Sequence, residues 1–132
     1  LPHDLVEKLM IDELIQIEAL RILEILTLIK FEECYPLIKT FSNLPARPGI
    51  YAVKSRTEGI LYIGKAKSVR ERFQGGHSAL VLAFLERLDP DEIRIAVVTL
   101  SPNWARTALA IEEYILETIQ PRYNVRLPKR KD

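Results

Sequence analysis

The chain has 132 residues, 48% of them apolar and 28% charged, with one Cys and a formal net charge of +1. At this length one domain is expected, and the apolar share suffices for a core, which argues against wholesale disorder and against a disulfide scaffold. No run of about 18 residues is free of charge, and the lone Cys34 reads as a small buried hydrophobe in a reducing compartment, so a soluble, cytoplasmic protein is expected.

The small net charge conceals a division. Residues 1–44 carry four basic and eight acidic side chains, whereas residues 45–132 carry fifteen basic and ten acidic. The basic rear module, with Lys129, Arg130 and Lys131 near its end, suits a polyanionic partner, and the acidic front does not.

In chain order, residues 5–29 combine Leu5, Leu9, Ile15, Leu20, Leu23, Leu26 and Ile29 at helical spacing without Pro or Gly, which predicts one long helix or two consecutive ones. Ile11, Ile17, Ile22, Ile25 and Leu28 widen the apolar arc, so the segment is expected to bury two faces, the second against a partner protein or a second copy. A short element around Tyr35 to Leu44 precedes a boundary at Pro45, Pro48 and Gly49. Gly49 to Lys54 and Gly59 to Gly64 then predict an unbulged hairpin joined by Ser55 to Glu58. Lys67 to Phe73 reads as a short helix stopped by Gly75 and Gly76, and Ser78 to Leu88 as a helix capped by Ser78. Alternation over Glu92 to Leu100 predicts a third strand, and Ser101-Pro102 opens a helix running to about Gln120.

On a wheel of that last helix, at about 100° per residue, Glu112 falls inside the apolar face formed by Trp104, Ala108, Ile111, Ile115 and Ile119. Glu113 and Glu117 fall outside it, as solvated carboxylates. A carboxylate aimed at a core needs a cation or several donors. Both an ion pair with an Arg and a metal-ligand role meet that need.

The hairpin offers a second grouping. Tyr51 and Tyr62, with ten residues between them, fall on one face of an unbulged hairpin. Ordinary sheet packing explains such a pair, but Gly64, Lys65, Lys67, Arg70 and Arg72 follow at once, with Arg72 at the edge of the Val69–Phe73 stripe. Phenol, ammonium, guanidinium and carboxylate in one cleft suit phosphodiester hydrolysis.

These residues carry a family resemblance. Gly49-Ile50-Tyr51 and Tyr62-Ile63-Gly64 are similar to the two tripeptides of the GIY-YIG nuclease superfamily. Lys65-Ala66-Lys67-Ser68-Val69-Arg70-Glu71-Arg72 resembles the continuation in the incision domain of the excision-repair subunit UvrC. Glu112 and the later Pro121-Arg122-Tyr123-Asn124 resemble that family's metal-binding glutamate and closing motif.

The resemblance implies an α+β fold with a small three-stranded antiparallel sheet flanked by helices in residues 45–132, preceded by a helical extension in residues 1–44. It implies a divalent-metal-dependent endonuclease cutting DNA by a one-metal mechanism with Mg²⁺ or Mn²⁺, leaving 5′-phosphate and 3′-hydroxyl ends. Tyr51 and Tyr62 take the water-activating and phosphate-contacting roles in an order left open, Arg72 neutralises the phosphate, Glu112 holds the metal and Asn124 braces the site. Lys65 matches a lysine of some members. His77 matches a site histidine of others, with a surface or capping residue as the alternative. His77, Lys67 and Arg70 are expected to bind substrate, and Lys129 to Lys131 to touch phosphate. Two other readings remain: a nucleic-acid-binding module without turnover, and a docking element whose main business lies in the front helices.

Overall fold

A computed structural model describes residues 1–128, so the Lys129 to Lys131 run lies outside the described residues. The Pro- and Gly-free front run folds as one helix, α1 (His3–Leu28). A two-residue strand, β1 (Tyr35–Pro36), follows and pairs at a sheet edge, where a residue without an N–H is tolerated. The hairpin strands are β2 (Gly49–Ser55) and β3 (Gly59–Ala66). Two short helices come next, α2 (Val69–Gln74) and α3 (Ser78–Leu85), then β4 (Ile93–Thr99). The chain ends in α4 (Pro102–Ala105), α5 (Ala108–Thr118) and α6 (Arg122–Arg126).

The strands form one antiparallel sheet in the order β1-β4-β2-β3. It has four strands rather than the expected three, because the segment around Tyr35 to Leu44 contributes two residues to the edge before turning away. The single helix expected from Ser101 to Gln120 is broken. Thr107 directs both its amide and its hydroxyl to the carbonyl of Trp104, each at 3.0 Å, which closes α4 locally and lets α5 start on a new axis. Helix α3 is capped by His77 rather than by Ser78, with Nδ1 accepting from the amide of Ala79.

Each face of the sheet has its own core. Tyr51, Val53, Leu61, Ile93 and Ile95 pack beneath α2, α3 and α6 with Val69, Phe73, Leu80 and Tyr123. Ile50, Ala52, Ile63 and Ala96 pack on the other side beneath α1 and α5 with Ile22, Leu26, Ile111 and Ile115. The second half of α1 therefore shares a core with the sheet. Buried Lys54 strengthens that seat by donating to the carbonyls of Leu26, Thr27 and Ile29 at 2.8, 3.2 and 3.0 Å, which satisfies acceptors that the end of the helix leaves open. Cys34 is buried in this layer, and its burial pushes the thiol above its ordinary range. The outward side of α1 is different: Leu9, Met10, Leu14 and Ile17 are more than half exposed. No helix among the described residues is long and apolar enough to cross a membrane.

Candidate active site

The hairpin sets the two tyrosines. Its turn is three residues long, since Ser55 pairs with Gly59, and an unbulged continuation of that register would put Tyr51 and Tyr62 on opposite faces. The register then shifts between Val53 and Lys54, leaving Leu61 as an extra residue, so that Val53 pairs with Tyr62 and Tyr51 with Gly64. The short turn and the bulge cancel, and both phenol rings reach one face, 6.2 Å apart between centroids. The expected unbulged hairpin is thus corrected, while its consequence for the side chains stands.

Glycine is required opposite Tyr51. A Cβ on Gly64 would lie 2.5 Å from Tyr51 Oη and 2.9 Å from Tyr62 Cε1. Tyr51 has nowhere to retreat, being 1% exposed and in edge contact with Phe73. Its oxygen lies 2.6 Å from His77 Nε2. Because His77 Nδ1 already accepts from Ala79 N–H, the neutral ring carries its proton on Nε2 and donates it to Tyr51. His77 also faces Tyr62, with ring centroids 4.9 Å apart. It is buried, neither a surface residue nor only a cap.

Ser68 starts α2 by accepting from the amide of Glu71, and Val69 and Phe73 bury its inner side. Arg72 therefore emerges half-buried at the sheet margin, where Nη1 donates to the carbonyl of Gly76 at 2.8 Å. From the opposite layer, Ile111 and Ile115 fix the rotation of α5 and bring half-buried Glu112 round the free edge of β3. That edge is also closed by Asn124 of α6. Its side-chain amide accepts from Ile63 N–H and donates to Ile63 C=O, both at 2.8 Å, as a neighbouring strand would.

Tyr51, Tyr62, Lys65, Arg72, Glu112 and Asn124 together line one cavity of about 430 Å³. Lys67 and Arg70 are not among its lining residues. Arg70 turns back to donate to the carbonyl of Leu44 at 2.8 Å, tying α2 to the preceding loop. Glu113 and Glu117 are exposed, as the wheel requires, yet both stand on the cavity wall with Leu116, Leu127 and Pro128. At about 100° and 140° from Glu112 on the wheel they share one side of α5, which is a signal that the wheel contained. The Tyr51–His77 bond joins residues 26 apart, and no local pattern announces it.

Behind Asn124, Tyr123 is fully buried and donates to Glu86 at 2.6 Å, while Arg122 bonds both Glu58 and Glu86. Burial, then the hydrogen bond to Glu86, raises the Tyr123 phenol above its ordinary range. That hydrogen bond, aided by Arg122 and Arg126, holds the Glu86 carboxyl below its own.

A UvrC-like GIY-YIG domain model matches residues 47–125. The UvrABC system protein C of Anaeromyxobacter sp. (strain Fw109-5) is 35% identical over 103 residues, which is 73% of this chain, and that of Synechococcus sp. (strain JA-3-3Ab) is 34% identical over 94 residues, 67% of the chain. The match spans 14% of the length of each of these curated relatives. Among solved structures, the GIY-YIG N-terminal endonuclease domain of UvrC from Thermotoga maritima, bound to magnesium, is similar with a TM-score of 0.49 and 25% identity, covering 65% of this chain and 92% of that one. With the family model covering more than half of its length, this chain belongs to the UvrC-like GIY-YIG domain family.

Proposed function

We propose that the chain is a divalent-metal-dependent endonuclease acting on DNA. The observation that carries this is the convergence of Glu112, from one helical layer, with Tyr51, Tyr62, Lys65 and Arg72, from the other layer and the sheet, on one cavity. The donor set fits a hydrated hard cation. Glu112 supplies one carboxylate, and among the described residues no group of three or more His, Cys, Asp or Glu side chains is placed to hold an ion. Mg²⁺, which keeps several waters and accepts phosphate oxygens, suits such a site, and Mn²⁺ is the expected substitute. When bound, the ion would neutralise charge on the phosphate and on the leaving oxygen.

This chain's own residues divide the remaining work. Tyr51 is buried and accepts a hydrogen bond from His77, so its own O–H acts as a donor toward phosphate oxygen. Half-buried Tyr62 is the phenol that meets water and activates it. Lys65 and Arg72 take the negative charge of the phosphate. Asn124 holds Ile63, and with it the adjacent Tyr62 and Gly64, at fixed height. His77 supports Tyr51 instead of touching substrate, and Lys67 and Arg70, outside the cavity, contribute at most charge along an approaching backbone.

A plasmid-nicking assay in Mg²⁺ with an EDTA control tests the proposal, run beside single-stranded, branched and RNA substrates. Metal-dependent nicks bearing 5′-phosphate are expected, lost in Glu112→Ala. Binding without cleavage under every metal condition would favour the non-catalytic reading instead. The exposed apolar side of α1 supports a second element of the proposal, pairing with a second copy through Leu14 and Ile17. Light scattering should give a dimer that Leu14→Glu/Ile17→Glu dissociates, and a monomeric wild type would refute it. The cytoplasm is the proposed compartment.

A further inference from the structure

Outside the cavity, Glu86 receives three side chains. It follows α3 directly and accepts from Tyr123 Oη at 2.6 Å, from Arg122 Nη2 at 3.0 Å and from Arg126 Nη1. Tyr123 is fully buried, so its phenol needs an acceptor, and Glu86 provides it. Arg122 also bonds Glu58 at 2.8 Å, in the turn between β2 and β3. The end of α3 and helix α6 therefore meet at the Glu86 carboxylate, and Arg122 links that carboxylate to Glu58 at the tip of the hairpin.

Each of these elements also bears a site residue. Helix α3 starts at His77, bonded to Tyr51. Helix α6 carries Asn124, bonded to Ile63. The hairpin carries both tyrosines. Helix α6 has only five residues and no side-chain N-cap, so its own turns hold it weakly. Three of those five, Arg122, Tyr123 and Arg126, are gripped by Glu86.

We infer that Glu86 is a positioning residue for phosphodiester cleavage: by gripping α6 it sets the height at which Asn124 holds the β3 edge, and thereby the placing of Tyr62 against Arg72 and Glu112. This rests on the nuclease reading above. Glu86 stands outside the cavity lining and touches no reacting group. Its partly exposed ion pairs with Arg122 and Arg126 contribute little to stability, and the loss of an acceptor for Tyr123 is what the thermal midpoint would read. The catalytic effect of Glu86 is larger, because a displacement near 1 Å at a reacting centre costs about a hundredfold in rate.

The test uses the full chain with plasmid DNA in Mg²⁺, comparing wild type with Glu86→Ala, Glu86→Gln and Tyr123→Phe. Cleavage kinetics, thermal midpoint and the backbone amide shift of Ile63 are measured for each. Glu86→Ala should lower kcat about tenfold with KM within about twofold, and move the Ile63 amide. Glu86→Gln keeps an acceptor oxygen for Tyr123 and should recover most of the loss. If Glu86→Ala does not fold, Tyr123→Phe, which removes one oxygen, carries the same expectation. Wild-type kcat in a folded Glu86→Ala, a defect confined to KM, or an unmoved Ile63 amide overturns the inference. A wild-type chain that never cuts overturns the nuclease reading instead, and the Ile63 shift, which needs no activity, still reports whether Glu86 grips the strand.

Discussion

The two helical layers on the sheet are built on opposite terms. The α2, α3 and α6 layer meets the sheet through directed polar contacts as well as packing, His77 on Tyr51 and Asn124 on Ile63, and Glu86 ties α3 to α6 within it. The α1 and α5 layer meets it through aliphatic burial, with Lys54 as its main polar tie and Glu112 as the group it sends round the sheet edge. Apolar packing is non-directional and tolerates small slips, whereas a hydrogen bond fixes both distance and angle. One layer thus supplies stability and the half-buried Glu112 carboxylate, and the other supplies precision. The same sheet serves both because successive residues of a strand face opposite ways.

That contrast predicts separable failures. The largest effect belongs to Glu112→Gln, which should cut the nicking rate by about three orders of magnitude while the thermal midpoint stays put, since a half-buried residue at a cavity edge adds little to the core. Gly64→Ala should damage both properties. The added Cβ collides with an immobile Tyr51 ring, at an expected cost of about 1–3 kcal/mol by urea unfolding and at least about a hundredfold in rate. Lys54→Met sharpens the comparison from the other side. It strips three carbonyls of their donor and should cost about 2 kcal/mol, yet nicking per folded molecule should remain within about twofold of wild type. A large rate loss in a folded Lys54→Met protein would show that the layers are not separable.

The smallest effect is a pH slope. The carboxyl of Glu86 is held below its unfolded value, so its contribution is present above the unfolded pKa and is lost as pH falls through the folded one. The thermal midpoint of wild type should therefore decline more steeply from neutral pH toward acid, below about pH 4.5, than that of Glu86→Gln. Parallel declines would count against an ionised Glu86 as the anchor of α6.

Much of this was visible in the order of residues. Periodicity alone turned Glu112 away from the solvated direction of Glu113 and Glu117, because Ile111 and Ile115 leave α5 little rotational choice. The α1 helix and the β4 alternation were visible for the same reason. What was hidden depended on closure over distance. The bulge at Leu61 follows from how a three-residue turn meets the packing of both faces, and parity arguments assume its absence. The break at Thr107 arises from a hydroxyl competing with the helical ladder. The bonds of His77 to Tyr51 and of Tyr123 to Glu86 span 26 and 37 residues, beyond any local pattern.

The central claim is that Glu112 holds the divalent ion beside the two phenols. Paramagnetic broadening by Mn²⁺, read on the amide resonances of the full chain, tests it most directly. Wild type should lose the signals of Glu112 and of Gly64 first, and Glu112→Gln should retain them at the same Mn²⁺ concentration. Equal broadening in both proteins, or broadening centred away from Gly64, would contradict the account.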